Sequence, residues 1–169
     1  MKNLKNIFTV FTFIFLMVGS TFAQSKGQKL PSIDVKNLDG ETVDISTYSE
    51  TGQITIISFW ATWCAPCKKE LNNIAEVYEE WVEDYNVKLV AISVDDSRNA
   101  SKVKTYINGQ SWEYDVLLDS NSDLKRALNF PTVPFTLLLD KDGKIVYRHS
   151  GYVEGDEYIL EEEIAKLMK

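Results

Sequence analysis

Two kinds of apolar spacing alternate along the chain: short continuous runs and longer stretches at helical period. Ile54 to Trp60 is continuous but for Thr55 and Ser58, which predicts a strand buried on both faces. Lys88–Val94 and the shorter Asp115–Leu118 and Phe135–Leu139 are runs of the same kind. Between them the period changes. Leu71, Ile74, Tyr78, Trp81, Val82 and Tyr85 predict the inner face of a long helix, with Lys and Glu filling the other face. Three shorter helices are predicted. One covers 99–108, with Val103, Tyr106 and Ile107 inward, and the next covers 121–129, with Leu124, Ala127 and Leu128 inward. The third covers 156–168, with Ile159, Leu160, Ile164 and Leu167 on its face. Ile33 and Val35, the Asp39-Gly40 pair, then Val43 and Ile45 predict a β-hairpin. Asp140–Gly143 predicts a turn, and Lys144–His149 the strand that returns from it. Alternating β and α elements imply an α/β fold with a central, mostly parallel sheet flanked by helices, the closing hairpin adding an antiparallel edge. Right-handed crossovers leave few topologies for that order.

The first 23 residues do not belong to this pattern. Lys2 and Lys5 are followed by an apolar run from Ile7 to Val18, then by Gly19-Ser20 and the small-residue pattern Thr21-Phe22-Ala23. This is the layout of a secretory signal peptide cleaved after Ala23, and about 12 apolar residues are too few to span a bilayer as a helix. An uncleaved anchor is the competing reading. The expected location is therefore periplasmic or otherwise exported, in a bacterium, where thiols can oxidise. Residues 24–30 are polar and read as a flexible lead-in, leaving 31–169 as one domain.

Composition narrows the function classes. The 169 residues are 44% hydrophobic and 25% charged, which excludes a disordered chain. The net charge of −7 becomes −9 when Lys2 and Lys5 leave with the signal, and this acidic balance argues against nucleic-acid binding. One His and two Cys exclude a multi-His metal site and a self-contained zinc domain, so no metal is expected.

Both cysteines lie in Trp63-Cys64-Ala65-Pro66-Cys67, at the junction of a buried strand and a helix. Two intervening residues allow one reversible disulfide across the first helical turn. At the helix N-terminus, unpaired N–H groups and the helix dipole favour a thiolate, so Cys64 is assigned as the exposed attacking thiol. Cys67, one turn deeper, is the resolving thiol. Pro66 falls in the first turn, where its missing N–H costs little. Lys68 and Lys69 add a modest positive charge. A structural disulfide would close too small a loop to constrain the unfolded chain much. A zinc half-site would need two outside ligands, and c-type haem attachment needs His where Lys68 stands.

The stretch from Phe59 to Glu70, FWATWCAPCKKE, resembles the active-site segment of the thioredoxin superfamily, in particular the TlpA/ResA/CcmG-like extracytoplasmic thiol–disulfide oxidoreductases. Leu30 to Ile45 resembles the N-terminal hairpin of that branch, 95–129 its inserted strand and helix, and Val133-Pro134-Phe135-Thr136 its cis-proline loop. The resemblance implies a thioredoxin-like fold over 31–169, with a central mixed sheet, an N-terminal β-hairpin and an inserted strand–helix. It implies that Pro134 is the cis-proline against the disulfide and that the Val133 backbone adds a substrate strand. It matches Glu70 to a carboxylate that tunes the thiols. Being three residues beyond Cys67, Glu70 shares its helical face and can exchange the proton of Cys67. Its competing reading is an ordinary solvated helix glutamate. Trp63, Ala65 and Pro66 complete the expected substrate-binding rim. Ser58 stands where thioredoxin itself has a buried acid, which shifts proton handling to Glu70 or water. Phe130 and Phe135 depart from the family pattern and are expected to bring aromatics close to the binding groove. Trp60 is expected in the core, and His149 is read as structural or surface.

The implied activity is protein disulfide reduction by a monomer that needs no cofactor beyond the Cys64–Cys67 couple. Its partners would be exported proteins with disulfides, apocytochrome c among them in cytochrome c maturation, and a membrane thiol–disulfide electron donor would reset it. The direction of exchange is not legible in the motif, so an oxidant or isomerase stays open. So do a thiol peroxidase, disfavoured by the two-cysteine spacing, and a non-enzymatic dithiol metallochaperone.

Overall fold

The computed structural model describes residues 27–169. The signal-peptide reading of 1–23 falls outside the described residues. Seven strands form one sheet: β1 Asp34–Asn37, β2 Thr42–Asp44, β3 Ile54–Trp60, β4 Val87–Ser93, β5 Asp115–Leu118, β6 Phe135–Leu139 and β7 Ile145–Ser150. Four helices accompany them: α1 Ala65–Tyr85, α2 Ala100–Ile107, α3 Asp123–Leu128 and α4 Asp156–Lys166. The strand order is β2-β1-β5-β4-β3-β6-β7. β3–β4 and β4–β5 are parallel, bridged by α1 and α2. The β1–β2, β1–β5, β3–β6 and β6–β7 pairs are antiparallel. The sheet is thus mixed rather than mostly parallel. The N-terminal hairpin docks antiparallel on β5, and β6 returns antiparallel along β3.

β3 lies inside the sheet between β4 and β6, and all seven of its residues are buried, as its largely apolar run requires. α1 buries Cys67, Glu70, Leu71, Ile74, Tyr78 and Trp81, a stripe at helical period, against β3 and β4. The helix stops at Asn86, which takes the left-handed conformation with φ 53°. α1 and α4 pack on each other. Asp119 supplies the start of α3, accepting from the Leu124 and Lys125 amides.

Three expectations differ from the structure. Val82 and Ile159 are exposed, so each lies outside the buried face of its helix. Residues 27–30 are tied down rather than free. Lys29 bridges to Lys144, the Ile145 amide donates to the Gln28 carbonyl, and Leu30 is buried with its N–H on Ser49 Oγ. Pairing with β7 satisfies a backbone whose polar side chains gave no sign of order. The chain between β2 and β3 is a 3-10 turn, Ile45–Ser49, capped by Asp44 Oδ1 accepting from the Ser46 amide. Gly143 holds φ 76° in the turn before β7, where any Cβ would run into the Ser49 carbonyl.

Candidate active site

β3 ends at Trp60, and residues 61–63 lead straight into Cys64, the N-cap of α1. Antiparallel pairing of Phe59 with Phe135 brings the start of β6 to this same end of the sheet. The Val133–Pro134 bond just before β6 is cis, as the resemblance implied. Sheet register therefore places the Cys-x-x-Cys segment and the Val133-Pro134 loop side by side, although 66 residues lie between Cys67 and Pro134 in the chain.

Cys64 and Cys67 are joined in a disulfide with their Cα atoms 5.3 Å apart. The Cys64 sulfur also accepts from the Cys67 amide at 3.3 Å, one of the free N–H groups of the first helical turn. Cys64 retains 5% exposure and Cys67 none, so the attacking sulfur is only marginally open and the resolving one is shut off from solvent. Ala65 and Pro66 open the helix and are exposed, and Trp63 stands 67% exposed at the rim. Lys69 is drawn away to Glu154 at 2.6 Å, and Lys68 lies over the Tyr106 ring.

The approach to Cys64 is held by a residue that the sequence reading passed over. Asp95, 1% exposed just after β4, accepts from the Thr62 amide at 2.8 Å and the Thr62 hydroxyl at 2.7 Å, and from Ser93 Oγ at 2.8 Å. Nothing in the spacing of Thr62 and Asp95, 33 positions apart, reveals this; the one available signal is an acid at the end of a strand otherwise buried. Asp95→Ala strands these buried donors, and it should cost about 1–3 kcal/mol of stability and loosen the loop before Cys64. Chemical denaturation, together with hydrogen exchange at Thr62, checks this. Unchanged protection at Thr62 would show that Asp95 does not hold the loop.

Glu70 is not a solvated helix residue: it is 4% exposed. Its Oε1 accepts from Thr136 Oγ1 at 2.7 Å, and Oε2 makes no hydrogen bond among the described residues. Burial pushes its carboxyl up to about 7; the Thr136 hydrogen bond opposes this, and the nearby Asp156 and Glu157 charges add to it. Ser58 faces Thr136 across the β3–β6 pair, and its hydroxyl is also without a partner. The buried acid therefore reaches the sheet from the helix, at the strand position where Ser58 leaves room for it.

Val133 is buried, and its carbonyl accepts from Thr132 Oγ1 at 3.2 Å. Its N–H makes no hydrogen bond among the described residues. Phe135 does not border the groove. It is 6% exposed and stacks on Phe130 with ring centroids 4.4 Å apart, and Phe59 packs on both. Starting a strand paired on both sides turns Phe135 into the core, and Phe130 follows it. Trp60 is fully buried, edge-on to Trp112. His149 is half-buried on β7, 3.2 Å from Asp156. Among the described residues no three His, Cys, Asp or Glu side chains converge as a metal site would need.

Comparison with known proteins gives concordant matches. Residues 26–148 match the AhpC/TSA family. The chain is 30% identical to sporulation thiol-disulfide oxidoreductase A of Bacillus subtilis, over 83% of this chain and 87% of that protein. It is 28% identical to thiol-disulfide oxidoreductase ResA of Bacillus thuringiensis, over 83% of this chain and 78% of that one. Among solved structures, a thioredoxin-like protein from Porphyromonas gingivalis superposes with a TM-score of 0.74 at 46% identity, covering 82% of this chain and 90% of its own.

Proposed function

The chain belongs to the AhpC/TSA family, and from that premise we propose that it is a thiol–disulfide oxidoreductase working as a protein disulfide reductase through the Cys64–Cys67 couple. The observation that carries this reading is the placement of a disulfide at the N-cap of α1, with one sulfur slightly open and the other closed. Reduced, the helix start favours a Cys64 thiolate. That thiolate attacks a partner disulfide, and Cys67 then displaces the partner and restores the Cys64–Cys67 bond. An extended partner segment is received by the Val133 N–H, which has no partner among the described residues, with Trp63, Ala65 and Pro66 on the other side.

The signal-like pattern of residues 1–23 supports work outside the cytoplasm. Exported proteins with accessible disulfides, apocytochrome c among them, are the substrate class, and a membrane dithiol donor resets the pair. The buried carboxylate one turn beyond Cys67 supports Glu70 as the base that takes the Cys67 proton.

The reduction potential of the couple, equilibrated against glutathione or dithiothreitol, tests the direction. A value near about −270 mV supports a reductase, and one near about −120 mV overturns that direction in favour of an oxidant. Faster oxidation of Cys64 by peroxide than by a peptide disulfide would overturn the exchange reading itself.

A further inference from the structure

Glu70 belongs to two environments. Cys67 lies one turn before it on α1. Glu70 also lines a small, partly open cavity of about 10 Å³, bordered by α1, β6, β7 and α4, to which neither cysteine contributes. That volume is just enough for a single water, and the polar side chains in the wall can bind one. Glu70, whose Oε2 is buried and has no partner among the described residues, lines it together with Thr136, Tyr152, His149 and Asp156.

The groups that face Glu70 differ in what they have left to offer. Glu157, on α4, is already engaged by Tyr152 Oη at 2.7 Å, by the Gly155 amide at 3.1 Å and by Asn73 at 3.4 Å. Asp156 accepts from the Val153 amide at 2.8 Å and faces His149 Nε2 at 3.2 Å. From β7, Tyr147 stacks flat against the His149 ring, and it also lines the cavity. From α1, Lys69 turns outward to Glu154. Tyr114, just before β5, donates to the Leu71 carbonyl behind the helix. Ser58 and Thr136 are the polar groups of the sheet below. Among these, His149 alone combines a place in the cavity wall, partial exposure to solvent and an imidazole, whose two ring nitrogens can take a proton at one side and release one at the other.

We propose that this cavity is the proton port of the active site, a water in it linking Glu70 to the His149–Asp156 pair, and that His149 is a positioning residue of the exchange reaction. The inference rests on the function proposed above and deepens it. Two thiols of the reduced protein pass two electrons to a partner disulfide. The Cys64 thiolate, its proton already in solvent, bonds to one partner sulfur while the other leaves as a thiolate and takes a proton from solvent. Cys67 then gives its proton to the Glu70 carboxylate and attacks the Cys64 sulfur. The Cys64–partner bond breaks, and the second partner thiolate is protonated from solvent. Glu70 must lose that proton before the next turn. Cys67 has no exposure of its own, and a bound partner covers Cys64, so the disulfide face offers no exit. The cavity opens one on the far side of the carboxyl.

Single-turnover kinetics test this, with reduced protein mixed with a peptide disulfide between pH 5.5 and 8 and each step followed by tryptophan fluorescence. H149A and H149Q should leave the first step unchanged and slow the resolving step about fivefold or more near pH 7. Added imidazole should restore the rate, and E70Q should be slow without any such rescue. A resolving step in H149A equal to the wild type overturns the proposal. So does a slow step that ignores imidazole and keeps the wild-type pH profile, since that is what a merely structural loss gives. Failure of the wild type to form a mixed disulfide at Cys64 overturns the functional reading itself, a result that the first step shows separately.

Discussion

Cys67→Ser arrests the protein on its partner: it accumulates as a mixed disulfide, and turnover in an insulin-reduction assay falls by on the order of 10³-fold. Cys64 remains at the N-cap of α1 in this variant, so the thiolate still forms and still attacks. What is lost is the second displacement. The chain has no third cysteine, so no other intramolecular thiol can take over the role of Cys67. Intact mass spectrometry should show a species equal to the sum of the protein and one partner chain, reversible with dithiothreitol. Cys64→Ser should lose turnover to the same degree without accumulating any such species, because a buried Cys67 cannot reach a macromolecular disulfide. A Cys67→Ser protein with a tenth or more of wild-type turnover, or a Cys64→Ser protein that forms the adduct, would contradict the assigned roles.

The parts of this fold that were legible in the sequence are those where local pattern and tertiary burial agree. The run Ile54–Trp60 is apolar because both faces are covered, and strand β3 spans those same residues. The helix face from Leu71 to Trp81 is buried at the spacing that the sequence shows. Val82 and Ile159 read as inward because period alone cannot say how wide an arc of a helix its neighbours cover. Phe135 read as a groove residue because it follows the cis-proline, whereas its strand position turns it into the core. The disulfide is visible in the sequence because its chemistry is confined to four residues. The rest of the site is not, because it is assembled over long separations: Asp95 on Thr62, Thr136 on Glu70, and His149 placed opposite Thr136 by strand register. The competing readings of Glu70, solvated or functional, differ only in burial, and burial depends on how β6 and β7 close over α1.

That burial predicts a second large effect. Glu70→Gln should stabilise the oxidised protein by about 3 kcal/mol at pH 8 and by little near pH 4.5. Burial raises the Glu70 carboxyl from an ordinary 4.5 to about 7, so between those values the folded protein holds a proton that the unfolded chain has released. Stability therefore falls with rising pH across this window. The contribution of Glu70 is fully present below about 4.5 and is lost as the pH passes through about 7, where the folded protein must carry a charge with little solvation. Glutamine carries no charge at any pH, keeps an oxygen for the Thr136 hydroxyl and offers an N–H that Ser58 Oγ can accept. With the disulfide intact the cysteines do not titrate, so the difference between variant and wild type isolates the carboxyl. Urea denaturation of both proteins from pH 4.5 to 8 measures it. A difference that stays flat across this range would mean that Glu70 is ionised throughout, and a base already charged below pH 5 would have too little affinity for a proton to draw one from Cys67.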